Sequence, residues 1–223
     1  MFERNPYMKL YYSPLSTFSH KAMLAFHEKG VAFTPELVDL GSQDARAAYE
    51  KINPTGKVPF LLMDNGWHVP ESTSIIEYLE EEFPNTPRLI PATGAGTARQ
   101  VRFMDRMADL YFNEPIIELL LQRIGLRAED SARADRARNY VQMAYGFWNT
   151  RLATQPWLCG SAFTMADCAA IPALFYAQIV APFAGHPNVA AYWQRAQERP
   201  SYKRIRAEFE PIWNARMAQQ RVA

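Results

Sequence analysis

Ser13, Ser16, Thr17 and Ser19 crowd four hydroxyls into one short stretch near the start of the chain. A hydroxyl in such a turn has two uses. It can accept a backbone N–H at the start of a helix, or it can donate its O–H to an anion held at the helix's positive end. By itself the fragment favours the first use. Other chemistry has less to stand on. His20, His27, His68 and His186 are scattered, and His20 and His27 do not make the His-x-x-x-His pair of a zinc enzyme, so no metal site is expected. Cys159 and Cys168 fit neither metal-ligand nor Cys-x-x-Cys spacing and read as buried small apolar residues. Neither Gly-x-x-x-x-Gly-Lys-Ser/Thr, Gly-x-Gly-x-x-Gly nor Gly-x-Ser-x-Gly occurs, which leaves phosphate cradling and serine acyl transfer without support.

Regular elements must hold these groups. Lys9-Leu10-Tyr11-Tyr12 reads as a strand, and Phe18, Ala22, Ala25 and Phe26 share one face of a helix that Gly30 is placed to end. Val31–Leu40 can hold a second strand and Asp44–Lys51 a short helix. Val58–Met63 reads as a third strand that turns through Asp64-Asn65-Gly66 into Trp67-His68-Val69. Ile75, Ile76, Leu79 and Phe83 form a helical stripe, with Glu77, Glu80, Glu81 and Glu82 as its solvated outer face. The predicted order over residues 8–84 is β-α-β-α-β-β-α. Prolines and glycines from Pro84 to Gly96 then break all periodicity and mark a linker at 85–96. Only helical patterns follow in 97–217, at about Thr97–Ile124, Ser131–Ala153, Met165–Val180, Asn188–Glu198 and Tyr202–Arg216. Thr164 and Asp167 have capping-box spacing at the start of the most apolar of them.

At 223 residues and 48% hydrophobic, the chain can build two cores. Its 24 basic and 23 acidic residues leave a formal charge of +1 without a basic block, so neither nucleic acid nor a membrane surface is an expected partner. No apolar run suits a bilayer span, and Met1–Tyr7 lacks that of a secretion signal, so a cytoplasmic protein is expected.

Ser13 through Ala22, with Phe26-His27-Glu28-Lys29-Gly30, resembles the opening βα unit of cytosolic glutathione S-transferases, the serine-type phi-like or related bacterial classes above all. Ile52-Asn53-Pro54-Thr55-Gly56-Lys57-Val58-Pro59 and Pro70-Glu71-Ser72-Thr73-Ser74-Ile75 look like the next two motifs of that family. Phe163-Thr164-Met165-Ala166-Asp167 is similar to the capping segment of its helical domain. The order of the four is more specific than any one of them. The resemblance implies an α/β thioredoxin-like N-terminal domain followed by an all-α domain, and an enzyme that conjugates glutathione to a small apolar electrophile in detoxification. It leaves open a glutathione-dependent disulfide or peroxide reductase, and a non-catalytic ligand or protein binder.

Glutathione would be the co-substrate. Its thiol titrates at about 8.5, so depressing that pKa by two units needs roughly 2.7 kcal/mol of preferential stabilisation of the thiolate. The resemblance implies Ser16 as the O–H donor to the thiolate, with Thr17 and Ser13 as alternatives. Val58, before a proline that the family holds in cis, would pair its main chain with the cysteinyl unit. Glu71 and Ser72 would take the γ-glutamyl end, and Lys57, with Arg46 as a substitute for an upstream family residue, the glycyl carboxylate. Leu15, Phe103, Arg106, Met107, Leu110 and Tyr111 would face the electrophile. The family comparison also implies a homodimer, in which Asp105 reaches the partner's glutathione from a charged stripe of Arg102, Asp105, Arg106 and Asp109.

Overall fold

A computed structural model describes residues 7–92 and 97–220. Two compact units divide the chain. Of the described residues, 7–89 join Arg204–Gln219 in the first, and those between Ile90 and Lys203 make up the second.

In the first unit, β1 (Met8–Tyr12) buries Met8, Leu10 and Tyr12 on one side, as strand alternation requires. Helix α1 (Thr17–Lys29) ends where Gly30 adopts φ 67° and its N–H returns to the carbonyls of Phe26 and His27. Strand β2 covers only Thr34–Leu37, shorter than the predicted Val31–Leu40, because it is an edge strand that pairs with β1 alone and only over Lys9–Tyr12. Then come α2 (Gln43–Glu50), β3 (Phe60–Met63), β4 (His68–Pro70) and α3 (Ser72–Glu82). The sheet runs β2-β1-β3-β4, with β2 parallel to β1 and the other pairs antiparallel. Gly66 closes the β3–β4 hairpin at φ 83°, a conformation that costs a residue without Cβ little.

One expectation for α3 fails. Ile75, Ile76 and Leu79 are fully buried as predicted, but Glu80 is only 5% exposed and not part of a solvated face. It lies one turn beyond Ile76, on the packed side. Its carboxylate takes a 2.8 Å bond from the buried Lys29 ammonium and a 2.9 Å bond from the Leu89 N–H, with the Arg88 guanidinium at 3.2 Å. A buried carboxylate persists only with such partners.

The second unit holds α4 (Thr97–Ala108), α5 (Glu114–Arg123), α6 (Ser131–Leu152), α7 (Met165–Val180), α8 (Pro187–Gln197) and the start of α9 (Pro200–Gln220). The single helix predicted over Thr97–Ile124 is interrupted by a π turn at Asp109–Asn113. Pro115 supplies the reason. It has no N–H for the carbonyl four residues back, and the chain widens so that the Glu114 N–H bonds Asp109 O, five back. Helix α7 is buried from Met165 to Ala177 and starts at the predicted Thr164–Asp167 box. Asp167 accepts from Leu158 N–H, Thr164 N–H and Tyr192 O–H, while burial raises its pKa to about 6. Cys168 is buried, whereas Cys159 is half-buried with a thiol pushed up to about 12 by burial.

Candidate functional site

Tyr11, Phe60 and Pro70 stand in register across three neighbouring strands, Tyr11 opposite Phe60 and Phe60 opposite Pro70. The segments beyond them therefore leave the sheet at one end. These are the Ser13–Ser16 turn after β1, Val58-Pro59 before β3, and Glu71-Ser72 after β4. Parallel β2, with Tyr12 opposite Leu37, ends there too and leads to α2, which carries Arg46. The first unit thus gathers Ser16, Val58, Pro59, Glu71 and Ser72 at one edge.

Ser16 is the N-cap of α1 in extended conformation, and its Oγ accepts from the Ser19 N–H at 3.2 Å. Accepting that bond leaves the hydroxyl proton free to be donated elsewhere. The capping and donating uses of this serine are compatible. Ser16 is half-buried, whereas Thr17 is 1% exposed. Ser13 O takes the Ser16 N–H at 3.0 Å, and the Ser13 N–H goes to Ser19 Oγ at 3.3 Å.

The Val58–Pro59 peptide bond is cis. The Val58 side chain packs with Val38, Tyr49 and Phe60, while its N–H and C=O form no backbone hydrogen bond among the described residues. The preceding carbonyl is held firmly: Tyr49 O–H and Asn53 Nδ2 donate to Lys57 O at 2.7 and 2.8 Å. The side chains of Lys57 and Arg46 are exposed. Glu71 is exposed at φ 67° and ψ 130°, a strained backbone for a residue with a side chain, and it makes no side-chain cap bond to α3. Ser72 is 2% exposed at the first position of that helix.

Two supporting residues escaped the sequence reading. Lys21 is fully buried, and its Nζ donates to Thr73 Oγ1 at 2.7 Å, tying α1 to the first turn of α3. The signal was its place between Phe18 and Ala25 on the apolar stripe. His20 is 1% exposed with Nε2 at 2.6 Å from Pro14 O, and burial lowers its pKa to about 4.

The residues predicted to face an electrophile fall in both units and have different surroundings within each. Leu15 is half-buried in the first unit. In the second unit Leu110 and Tyr111, on the π turn, line a cavity of about 480 Å³ with Pro115, Arg136 and Tyr140. Met107 is core, Arg106 is exposed, and Phe103 is turned toward Phe147. The predicted charged stripe also divides: Asp105 and Asp109 are buried, at 0% and 5% exposure, while Arg102 and Arg106 are exposed. Among the described residues no cluster of His, Cys, Asp and Glu suits a metal ion, and no helix is long and apolar enough to cross a membrane.

The comparisons with known proteins cover both units. Residues 10–87 match the model of the glutathione S-transferase N-terminal domain, and residues 131–195 that of the C-terminal domain. Glutathione S-transferase GstA of Escherichia coli O157:H7 is 28% identical over 86% of this chain and 94% of its own length. Maleylpyruvate isomerase of a Ralstonia species is 33% identical over 74% of this chain and 80% of its own. The crystal structure of a glutathione S-transferase from Methylobacillus flagellatus KT with glutathione bound has a TM-score of 0.79 at 27% identity, covering 89% of this chain and 98% of that one. With two domain models matched in the expected order and relatives aligned over most of their length, the chain belongs to the glutathione S-transferase family.

Proposed function

We propose that this chain binds glutathione as co-substrate across the sheet end described above, activates its thiol through Ser16, and conjugates it to a small apolar electrophile. The observation that carries the reading is the register of Tyr11, Phe60 and Pro70. Adjacent strands lie about 4.8 Å apart, and an extended tripeptide of about 10 Å bridges two such spacings. Val58 then offers an unpaired main-chain edge to the central cysteinyl unit. Ser16 aims a hydroxyl at its sulfur from the start of α1. Ser72 and the N-terminus of α3 receive the γ-glutamyl carboxylate, and Glu71 its ammonium. Exposed Lys57 and Arg46 stand on the side of the glycyl carboxylate. Thr17, which follows the cap as the first residue of α1, is the weaker choice for the sulfur.

The electrophile is assigned to the wall that includes Leu110 and Tyr111. Asp105 has no exposed surface and meets a ligand only if the structure opens around it. The same reading includes a homodimer and a detoxifying role in the cytoplasm.

Calorimetry with glutathione comes first, followed by a panel of chloronitrobenzene conjugation, disulfide exchange and peroxide reduction. Maleylpyruvate isomerisation joins the panel because of the isomerase relative. Micromolar to millimolar glutathione binding with conjugation as the dominant activity is expected. Dominant disulfide or peroxide turnover would replace conjugation by reduction, and no binding with no turnover would leave a ligand or protein binder. Light scattering decides the dimer against a 25.5 kDa monomer.

A further inference from the structure

We infer that His20 is a positioning residue for Ser16, holding the serine's turn by the Pro14 carbonyl with Phe209 behind it. The inference rests on Ser16 as the thiol donor proposed above. A carbonyl only accepts, so the 2.6 Å contact to Pro14 O places the ring proton on Nε2 and leaves buried Nδ1 without a hydrogen-bond partner. The turn itself selects the tautomer.

The far side of the imidazole meets Phe209 on the part of α9 that belongs to the first unit, at 4.6 Å between centroids. Glu208, the preceding residue, accepts the Tyr12 O–H at the end of β1. The same stretch of α9 thus touches the strand before the turn and the helix after it. Other bonds of the turn include Ser16 N–H to Ser13 O, Ser13 N–H to Ser19 Oγ, Ser19 N–H to Ser16 Oγ and His20 N–H to Ser16 O. None of them holds Pro14, which has no N–H of its own. With its carbonyl released, the loop between Tyr12 and Ser16 loses its anchor at Pro14. The direction of the serine O–H then loosens, and hydrogen bonds weaken steeply with misalignment.

The test uses His20→Phe, which keeps a ring against Phe209 but removes the donor, and His20→Gln, which returns an N–H. Phe209→Leu withdraws the backing without touching the turn. All three are compared with wild type and Ser16→Ala for conjugation kcat, glutathione KM and the pKa of the bound thiol, read by ultraviolet absorbance. His20→Phe should lower kcat about tenfold or more and raise the thiol pKa, since small misplacements of a catalytic group are costly. Its KM should stay within about threefold of wild type, because the lost interaction belongs to the thiolate and not to ground-state binding. His20→Gln should recover most of both, and Phe209→Leu should fall between. If His20→Phe retains wild-type kcat and thiol pKa while Ser16→Ala loses both, the positioning role is overturned and the Ser16 reading stands. If Ser16→Ala also behaves as wild type, both fall. Should His20→Phe not fold, Phe209→Leu with an unshifted thiol pKa overturns the inference.

Discussion

Helices α1 and α3 both start at the same end of the sheet, and their first turns are built in opposite ways. At α1 the cap residue Ser16 accepts a backbone N–H through its side chain, and the turn before it is tied down by Ser13, Ser19 and His20. At α3 the cap residue is Glu71, whose side chain makes no cap bond and whose backbone is held at φ 67°. A hydroxyl cap satisfies the helix and still has a proton to give, which suits a thiolate. A helix start without a side-chain cap keeps its positive end available for a carboxylate from outside. On the function proposed above, the difference would give the two corners different ends of one ligand, with the strained backbone at Glu71 on the side of the γ-glutamyl group.

The largest effect that can break this comparison is at Ser16. Ser16→Ala should lower kcat about 10²-fold, like removal of an oxyanion donor, and raise the bound thiol pKa. It also removes a helix cap worth about 1 kcal/mol. Ser16→Asp separates the two, because aspartate caps as well as serine but has no proton to give at neutral pH. A thermal midpoint near wild type with conjugation lost is the expected outcome for Ser16→Asp. Retained turnover would leave Ser16 as a cap alone.

Acid should then distinguish the corners. His20 and His27 are held near pKa 4 by burial, against an ordinary value of 6.5, so the folded state binds fewer protons than the unfolded one between those values. Their contribution is complete above about pH 6.5 and is lost as pH falls toward 4. Asp167, raised to about 6, works the other way: its burial is least unfavourable below pH 4 and costs stability as pH rises through 6. With two histidines against one aspartate, net stability should fall on acidification from pH 6.5 to 4, by an amount on the order of 4 kcal/mol. His20→Gln should flatten that loss. Amide exchange at Ser13–Ser19 should rise with acid before exchange at Ser72–Ile76; the reverse order would show that the His20 corner is not the acid-sensitive one.

Much of this corner was legible in sequence, and the reasons are local. Gly30 and Asn65-Gly66 fix chain geometry within a few residues, so the end of α1 and the β3–β4 hairpin could be placed from them. What escaped depends on which element packs over which. Glu80 looked solvated because its partner Lys29 lies 51 residues away, and His20 looked idle because Phe209 belongs to the last helix. The π turn was signalled only by Pro115, in a stretch whose apolar period is otherwise helical. The electrophile residues were the least legible, since an apolar helix face looks alike whether it lines a cavity, as Leu110 does, or the core, as Met107 does.

The third prediction concerns the open corner. If Ser72 donates to the γ-glutamyl carboxylate as proposed, Ser72→Ala should raise the glutathione KM by a factor corresponding to about 1–2 kcal/mol, with the thiol pKa nearly unchanged. Equal changes in both quantities would mean that the two corners are not independent.

Glu71→Gly gives the smallest shift and the finest test. Glycine adopts positive φ without penalty, so relief of a strain of about 1 kcal/mol should raise the thermal midpoint, while the lost carboxylate should raise the glutathione KM. Glu71→Ala provides the reference, since it loses the same carboxylate but keeps a Cβ in the strained conformation. If the backbone at Glu71 is held by the fold and the side chain serves the ligand, the two variants should share one KM and differ in stability, glycine above alanine. The opposite pattern, with equal stability and a lower KM for one variant, would place the strain in ligand binding and remove the distinction between a corner that is capped and one that is held open.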